Sequence, residues 1–150
     1  MAYAATTKVP LEQSIAEIIA MVRKAGAESV GQMHERDRFT IGFALGDRRI
    51  KFTVPLVTKW DGPTLGRNGR EIDVRAKIEQ ANRQKGRALM LVIKAKLESV
   101  ESGVETFEQA FLANILLADG ATIYERMADP IAIEYKTGRV QPLMLGGPVS

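Results

Sequence analysis

The chain contains no cysteine and one histidine, His34. Without thiols there is no disulfide and no thiolate metal site, which fits a reducing compartment. A lone imidazole leaves zinc with almost no ligand set, and a site made of carboxylates would suit magnesium or calcium instead. Long apolar runs are also missing. The longest, ALMLVI at 88–93, falls far short of the roughly 20 residues that span a bilayer. The opening MAYAATTKVPLEQ lacks the basic patch followed by roughly 7 to 15 apolar residues of a signal peptide, so a cytoplasmic location without membrane association is expected. Aromatics are scarce, with Trp60 the single tryptophan.

What the chain does have is an uneven spread of charge. Its 150 residues carry a net charge of +3. Residues 1–96 hold 18 Lys and Arg against 10 Asp and Glu, whereas residues 97–150 hold 3 against 8. An acidic partner is therefore expected to meet the first two thirds of the chain. This length suits one domain, which buries about two thirds of the surface its unfolded form exposes.

YAATTK at 3–8 is short, carries Thr and Tyr, and runs into Val9-Pro10, so it reads as a strand. From Leu11, apolar residues at Leu11, Ile15, Ile18, Ile19 and Val22 trace one helical face, and Gly26 is placed to end it. SVGQMHE at 29–35 reads as a strand. In RFTIGFALGDRRIKFTVPL, Phe39, Ile41, Phe43 and Leu45, then Ile50, Phe52, Val54 and Leu56, alternate with small or polar residues, which predicts a hairpin turning at Gly46-Asp47. Residues 57–72 hold three glycines and a proline without periodicity and predict a long basic loop. Asp73 to Glu101 carries a helical stripe, weakened at Gly86, where glycine costs about 1 kcal/mol relative to alanine. Thr106 with Gln109 reads as a capping box for a helix through Phe107, Phe111, Ile115 and Leu116. TIYERM and IAIEYK read as two short elements separated at Pro130, before a Gly/Pro-rich tail at 139–150. The expectation is one α+β domain over 1–150: a strand, a helix and a three-strand antiparallel meander (1–56), the loop (57–72), and a C-terminal helical part (73–138) laid on one sheet face.

Two groups of residues point to a partner. On the wet face of the hairpin, Thr40, Gly42 and Ala44 lie beside Arg49, Lys51 and Thr53, an open basic surface suited to phosphates, although a wet sheet face needs no ligand to explain it. In the loop and the helix after it, Arg67 and Arg70 flank Asn68 and Gly69, and Arg83, Arg87 and Lys94 share a helical face. Trp60 is the ring available for stacking a base. GRNGR matches no phosphate-binding fingerprint. Glu98, Glu101, Glu105 and Glu108 read as solvated helix ends rather than metal ligands. Glu134-Tyr135-Lys136 has the E-x-K end of a nuclease motif without the strand-borne aspartate, and no nucleophile, base and orienter stand together.

VPLEQSIAEIIAMVRKAGA, RRIKFTVPL and RQKGRALMLVIKAKLESVESGVETFEQAFLANILLADGATIYE together resemble small uncharacterised proteins encoded by phages and prophages, over most of the chain to about residue 145. The resemblance implies a phage-type protein in a bacterial host cell and brings no catalytic residues with it. The expected function is thus non-enzymatic nucleic-acid binding, to single-stranded DNA in phage replication or recombination. Arg49, Lys51, Arg67, Arg70, Arg83 and Arg87 would contact phosphate and Trp60 would stack; no cofactor or metal is expected. The alternative is a module that binds a host or phage protein through the acidic, apolar C-terminal part, including Phe107, Phe111 and PLMLGGP. Self-association is open to either reading.

Overall fold

The computed structural model describes residues 3–143. After a 3-10 turn at Tyr3–Thr6 come α1 (Leu11–Lys24), β1 (Ser29–His34), β2 (Arg38–Leu45), β3 (Arg48–Pro55), α2 (Val74–Glu101), α3 (Phe107–Phe111), a 3-10 turn at Leu112–Asn114, and α4 (Ile123–Thr137). The α+β class and the three-strand antiparallel meander, in the order β1-β2-β3, are as the sequence predicts.

The first expected strand is instead the 3-10 turn. YAATTK finds no ladder partner: the Gln80 side-chain amide on α2 donates to the carbonyls of Ala5 (3.2 Å) and Thr7 (2.8 Å) and binds the segment to the helix layer. α1 ends in a Schellman motif, with Gly26 at φ 109° and the Ala27 N–H donating to the Val22 carbonyl (2.9 Å). At the β2–β3 turn Gly46 takes φ 59° while Asp47 keeps negative φ, the type II′ pattern that matches strand twist.

Alternation along the hairpin sends Phe39, Ile41, Phe43, Ile50 and Phe52 to one face, where they pack with Ile15, Ile18 and Val22 of α1 and with Leu89, Met90 and Ile93 of α2. The two helices thus cover one face of the sheet. Asp73 caps α2 by accepting from the Ala76 N–H (3.1 Å), and its 28 residues run through Gly86 without a break. Gly86 is buried where α2 crosses α1 beside Leu11 and Ser14.

Thr106 and Gln109 form the expected capping box. The helix they open stops at Phe111, well short of Leu116, because the following residues pair with the sheet edge. Ile115 bridges Ile50, and the Leu116 N–H donates to the Arg49 carbonyl (2.8 Å). Residues 123–137 are one helix, not two elements, with Pro130 inside it. Proline removes the bond to the Arg126 carbonyl, a loss that is cheaper in a helix with no fully buried residue, where solvent can reach the backbone. A second capping box, Thr122 with Glu125, starts α4, and Gly138 at φ 70° ends it. No helix among the described residues is long and apolar enough to cross a membrane.

Candidate nucleic-acid interface

The strand register sets the outer sheet face in transverse rows. Ser29, Ala44 and Arg49 lie side by side, then Gly31, Gly42 and Lys51, then Met33, Thr40 and Thr53, with rows about 7 Å apart. The middle row begins with two glycines. A Cβ on Gly31 would meet nothing within 4 Å, so that end of the row is open backbone. Arg49 and Lys51 stand along one border and enter no ion pair among the described residues. Lys51 does have acid nearby. The Glu125 carboxyl lies below the usual glutamate range, chiefly through the Thr122 backbone N–H and hydroxyl, with a smaller contribution from Lys51. Arg48 is engaged elsewhere, with Asp47 (2.8 Å) and Glu108 of α3 (2.6 Å), and Arg38 pairs with Glu35.

The loop after β3 is folded. Asn82 of α2 pairs with Val57 as a strand residue would: Oδ1 accepts from the Val57 N–H (2.8 Å) and Nδ2 donates to its carbonyl (3.1 Å). The Trp60 indole N–H donates to the Pro63 carbonyl (3.1 Å), Gly62 lies against the indole ring, and Lys77 Nζ stands 6.0 Å from the ring centroid. Residues 64–72 then form a small hairpin. The Ile72 N–H donates to the Thr64 carbonyl and the Gly66 N–H to that of Arg70, both at 2.8 Å. Asn68 Oδ1 accepts from the Arg70 N–H, and Gly69 takes φ 76° at the tip. Arg67 and Arg70 project from this tip, exposed and without an acid partner among the described residues.

Asn82 was not legible as a site residue, although an asparagine inside a helix, where its side chain competes for backbone bonds, is a reason to look for such a clamp. Replacing it (Asn82→Ala) strands the Val57 N–H and carbonyl. We expect a loss of about 2 kcal/mol, measured by urea unfolding, with the Val57 amide exchanging faster. Unchanged exchange at Val57 would show that the clamp does not hold the loop.

Arg83 and Arg87 are placed differently. Arg83 lies 3.7 Å from Glu79 and donates to Gln80 Oε1 (3.1 Å). Arg87 forms an ion pair with Glu17 of α1 and is only 24% exposed. Arg83 is held within α2 itself, and Arg87 ties α2 to α1. They also do not join Arg49 and Lys51. Those two alternate with Ile50 and Phe52, which are buried against the cluster holding Leu89, Met90 and Ile93, so they leave the sheet on the side away from α2. The predicted cations therefore divide into a sheet pair, a loop pair and a helix pair.

Of the residues expected to meet a protein partner, Phe111 is fully buried and Phe107 is half-buried. Phe107 lines a cavity of about 730 Å³ with Met21, Leu45, Leu97 and Val100, rimmed by Lys24, Lys94, Glu98 and Glu101. PLMLGGP lies outside the described residues from Met144 onward. Glu134-Tyr135-Lys136 is helical, and among the described residues no three His, Asp or Glu side chains gather closely enough to hold a metal ion. Comparison with protein-family models, curated proteins and solved structures returns no match.

Proposed function

We propose that the protein binds single-stranded DNA, without catalysing a reaction on it, through the 64–72 hairpin and the start of α2. One observation carries this reading: the only indole sits beside Lys77 on a folded loop that ends in Arg67 and Arg70, which form no ion pair among the described residues. Cations that hold no acid are free to take phosphates, and an indole offers any base a stacking surface. Arg49 and Lys51 add a second contact on the far side of the sheet. Arg83 and Arg87 stay with their acids and contribute little. On its resemblance to phage-encoded proteins, the role would lie in phage DNA replication or recombination.

Because Trp60 is the only tryptophan, its fluorescence reports on the loop alone. Titration with an oligothymidine of about 16 nucleotides, long enough for one site, should quench it. Affinity should fall with added salt, with a logarithmic slope of about −0.7 for each phosphate neutralised. Arg67→Glu combined with Arg70→Glu should weaken binding more than tenfold and flatten that slope by about 1.4, whereas Arg83→Gln should leave both nearly unchanged. No quenching and no retarded complex at low salt would overturn the proposal. Full binding by the hairpin double variant, with loss in Arg49→Glu and Lys51→Glu, would move the interface to the sheet.

A further inference from the structure

α4 is attached along one side only. It packs against the 112–114 turn, and its half-buried residues include Ile123, Met127 and Pro130. A neighbouring stripe is largely exposed among the described residues, with only Ala128 half-buried in it. Tyr124, Ala128, Ile131 and Tyr135 are spaced i, i+4, i+7 and i+11, which places them within about 60° of one another at 3.6 residues per turn. Tyr124 is 65% exposed, Ile131 39% and Tyr135 89%. A short helix with a proline inside it is marginal by itself, so cover on this stripe would stabilise it.

We propose that the stripe joins two copies of this chain, α4 against α4 in antiparallel orientation. The spacing of four, three and four residues reads the same from either end. A two-fold axis between Asp129 and Pro130 therefore sets Tyr124 against the partner's Tyr135 and the small Ala128 against the partner's Ile131. Charge agrees with this orientation. The first half of α4 carries Glu125 and Asp129 against Arg126, a net −1, and its end carries Lys136 and the following Arg139 against Glu134, a net +1. Antiparallel helices bring acids to bases and oppose their macrodipoles, whereas parallel helices set like against like. Four side chains per copy bury less than the about 800 Å² per partner of a standard interface, so the dimer is weak, dissociating at about 10 to 100 μM.

Sedimentation equilibrium across that range should show a monomer–dimer exchange in the full chain, and Ile131→Lys should remain monomeric with unchanged circular dichroism. Since the chain has no cysteine, introduced thiols report orientation directly. Mixing Tyr124→Cys with Tyr135→Cys should give the mixed disulfide under mild oxidation, while either variant alone gives little. A chain that stays monomeric at about 500 μM, a dimer that survives Ile131→Lys, or disulfides between like positions only would each overturn the proposal.

Discussion

Replacing Phe111 with alanine is expected to cost about 4 kcal/mol, the range measured for fully buried phenylalanines, and to lower the melting temperature by about 10 °C in a chain of this size. Phe111 is the fully buried aromatic contact between the C-terminal part and the sheet, beside the Ile115–Ile50 bridge and the Arg48–Glu108 pair. Its ring centroid lies 6.1 Å from that of Phe43 and 6.3 Å from that of Phe52, both edge to face, and 5.0 Å from Phe107. Lys96 Nζ stands 5.9 Å from the same ring while donating to the Ala110 carbonyl at 2.7 Å. The side chain is wholly buried, so alanine leaves a cavity that three aromatic neighbours cannot fill without moving. The residues that close the β3 edge follow directly in the chain, so the Leu116 amide should lose protection along with global stability. Phe111→Leu should recover more than half of the loss. A deficit below about 1 kcal/mol for the alanine variant would mean that the cluster does not couple α3 to the sheet.

The second large effect belongs to Gly86, and it depends on size. A Cβ there would stand 2.5 Å from Leu11 Cδ1, 3.5 Å from Ser14 Cβ and 3.7 Å from Leu11 Cα. The tightest of these is the far end of a flexible side chain, so Gly86→Ala asks Leu11 to turn aside. In return it gains about 1 kcal/mol of helix propensity, and the two effects should leave stability within about 1 kcal/mol of the parent. Gly86→Phe has no such exit. Ser14 is fully buried beside it, and a ring at this position must push α1 away from α2, at a cost of about 3 kcal/mol. It should also strain the nearby Arg87–Glu17 pair. Urea unfolding of the two variants checks the contrast. Equal stabilities would show that the helices do not meet closely at Gly86.

Much of the architecture is legible along the chain because it is encoded locally. Phe39, Ile41 and Phe43 alternate with Thr40 and Gly42, and that period of two, closed by a glycine turn, leaves one plausible hairpin. The long stripe from Ala81 to Val100 has the helical period, and the Thr106 capping box lies within four residues. Two of the misreadings fall where the deciding partner is remote, and the third, at Pro130, where a local breaker is outweighed by caps on either side. YAATTK has strand-like residues but no strand beside it, and Gln80 supplies the bonds that make it a turn. Ile115 and Leu116 have helical spacing from Phe107, yet the free edge of β3 draws them into a bridge. Pro130 reads as a boundary, while the Thr122 cap before it and Gly138 after it frame one helix.

The sequence by itself determined the α+β class, the meander, the long helix and the surplus of cations in the first 96 residues. Backbone period and capping chemistry act between near neighbours, so no tertiary information is needed to read them. Only the tertiary structure decided which cations remain available. Arg87 and Glu17 are 70 residues apart in the chain and in contact in the fold, whereas Arg67 and Arg70 reach a hairpin tip and form no ion pair among the described residues. Charge counts along a chain add, but charges in a fold cancel by distance. The fold therefore divides into three places the cations that the sequence set in two groups, and α4 keeps a stripe that is largely exposed among the described residues.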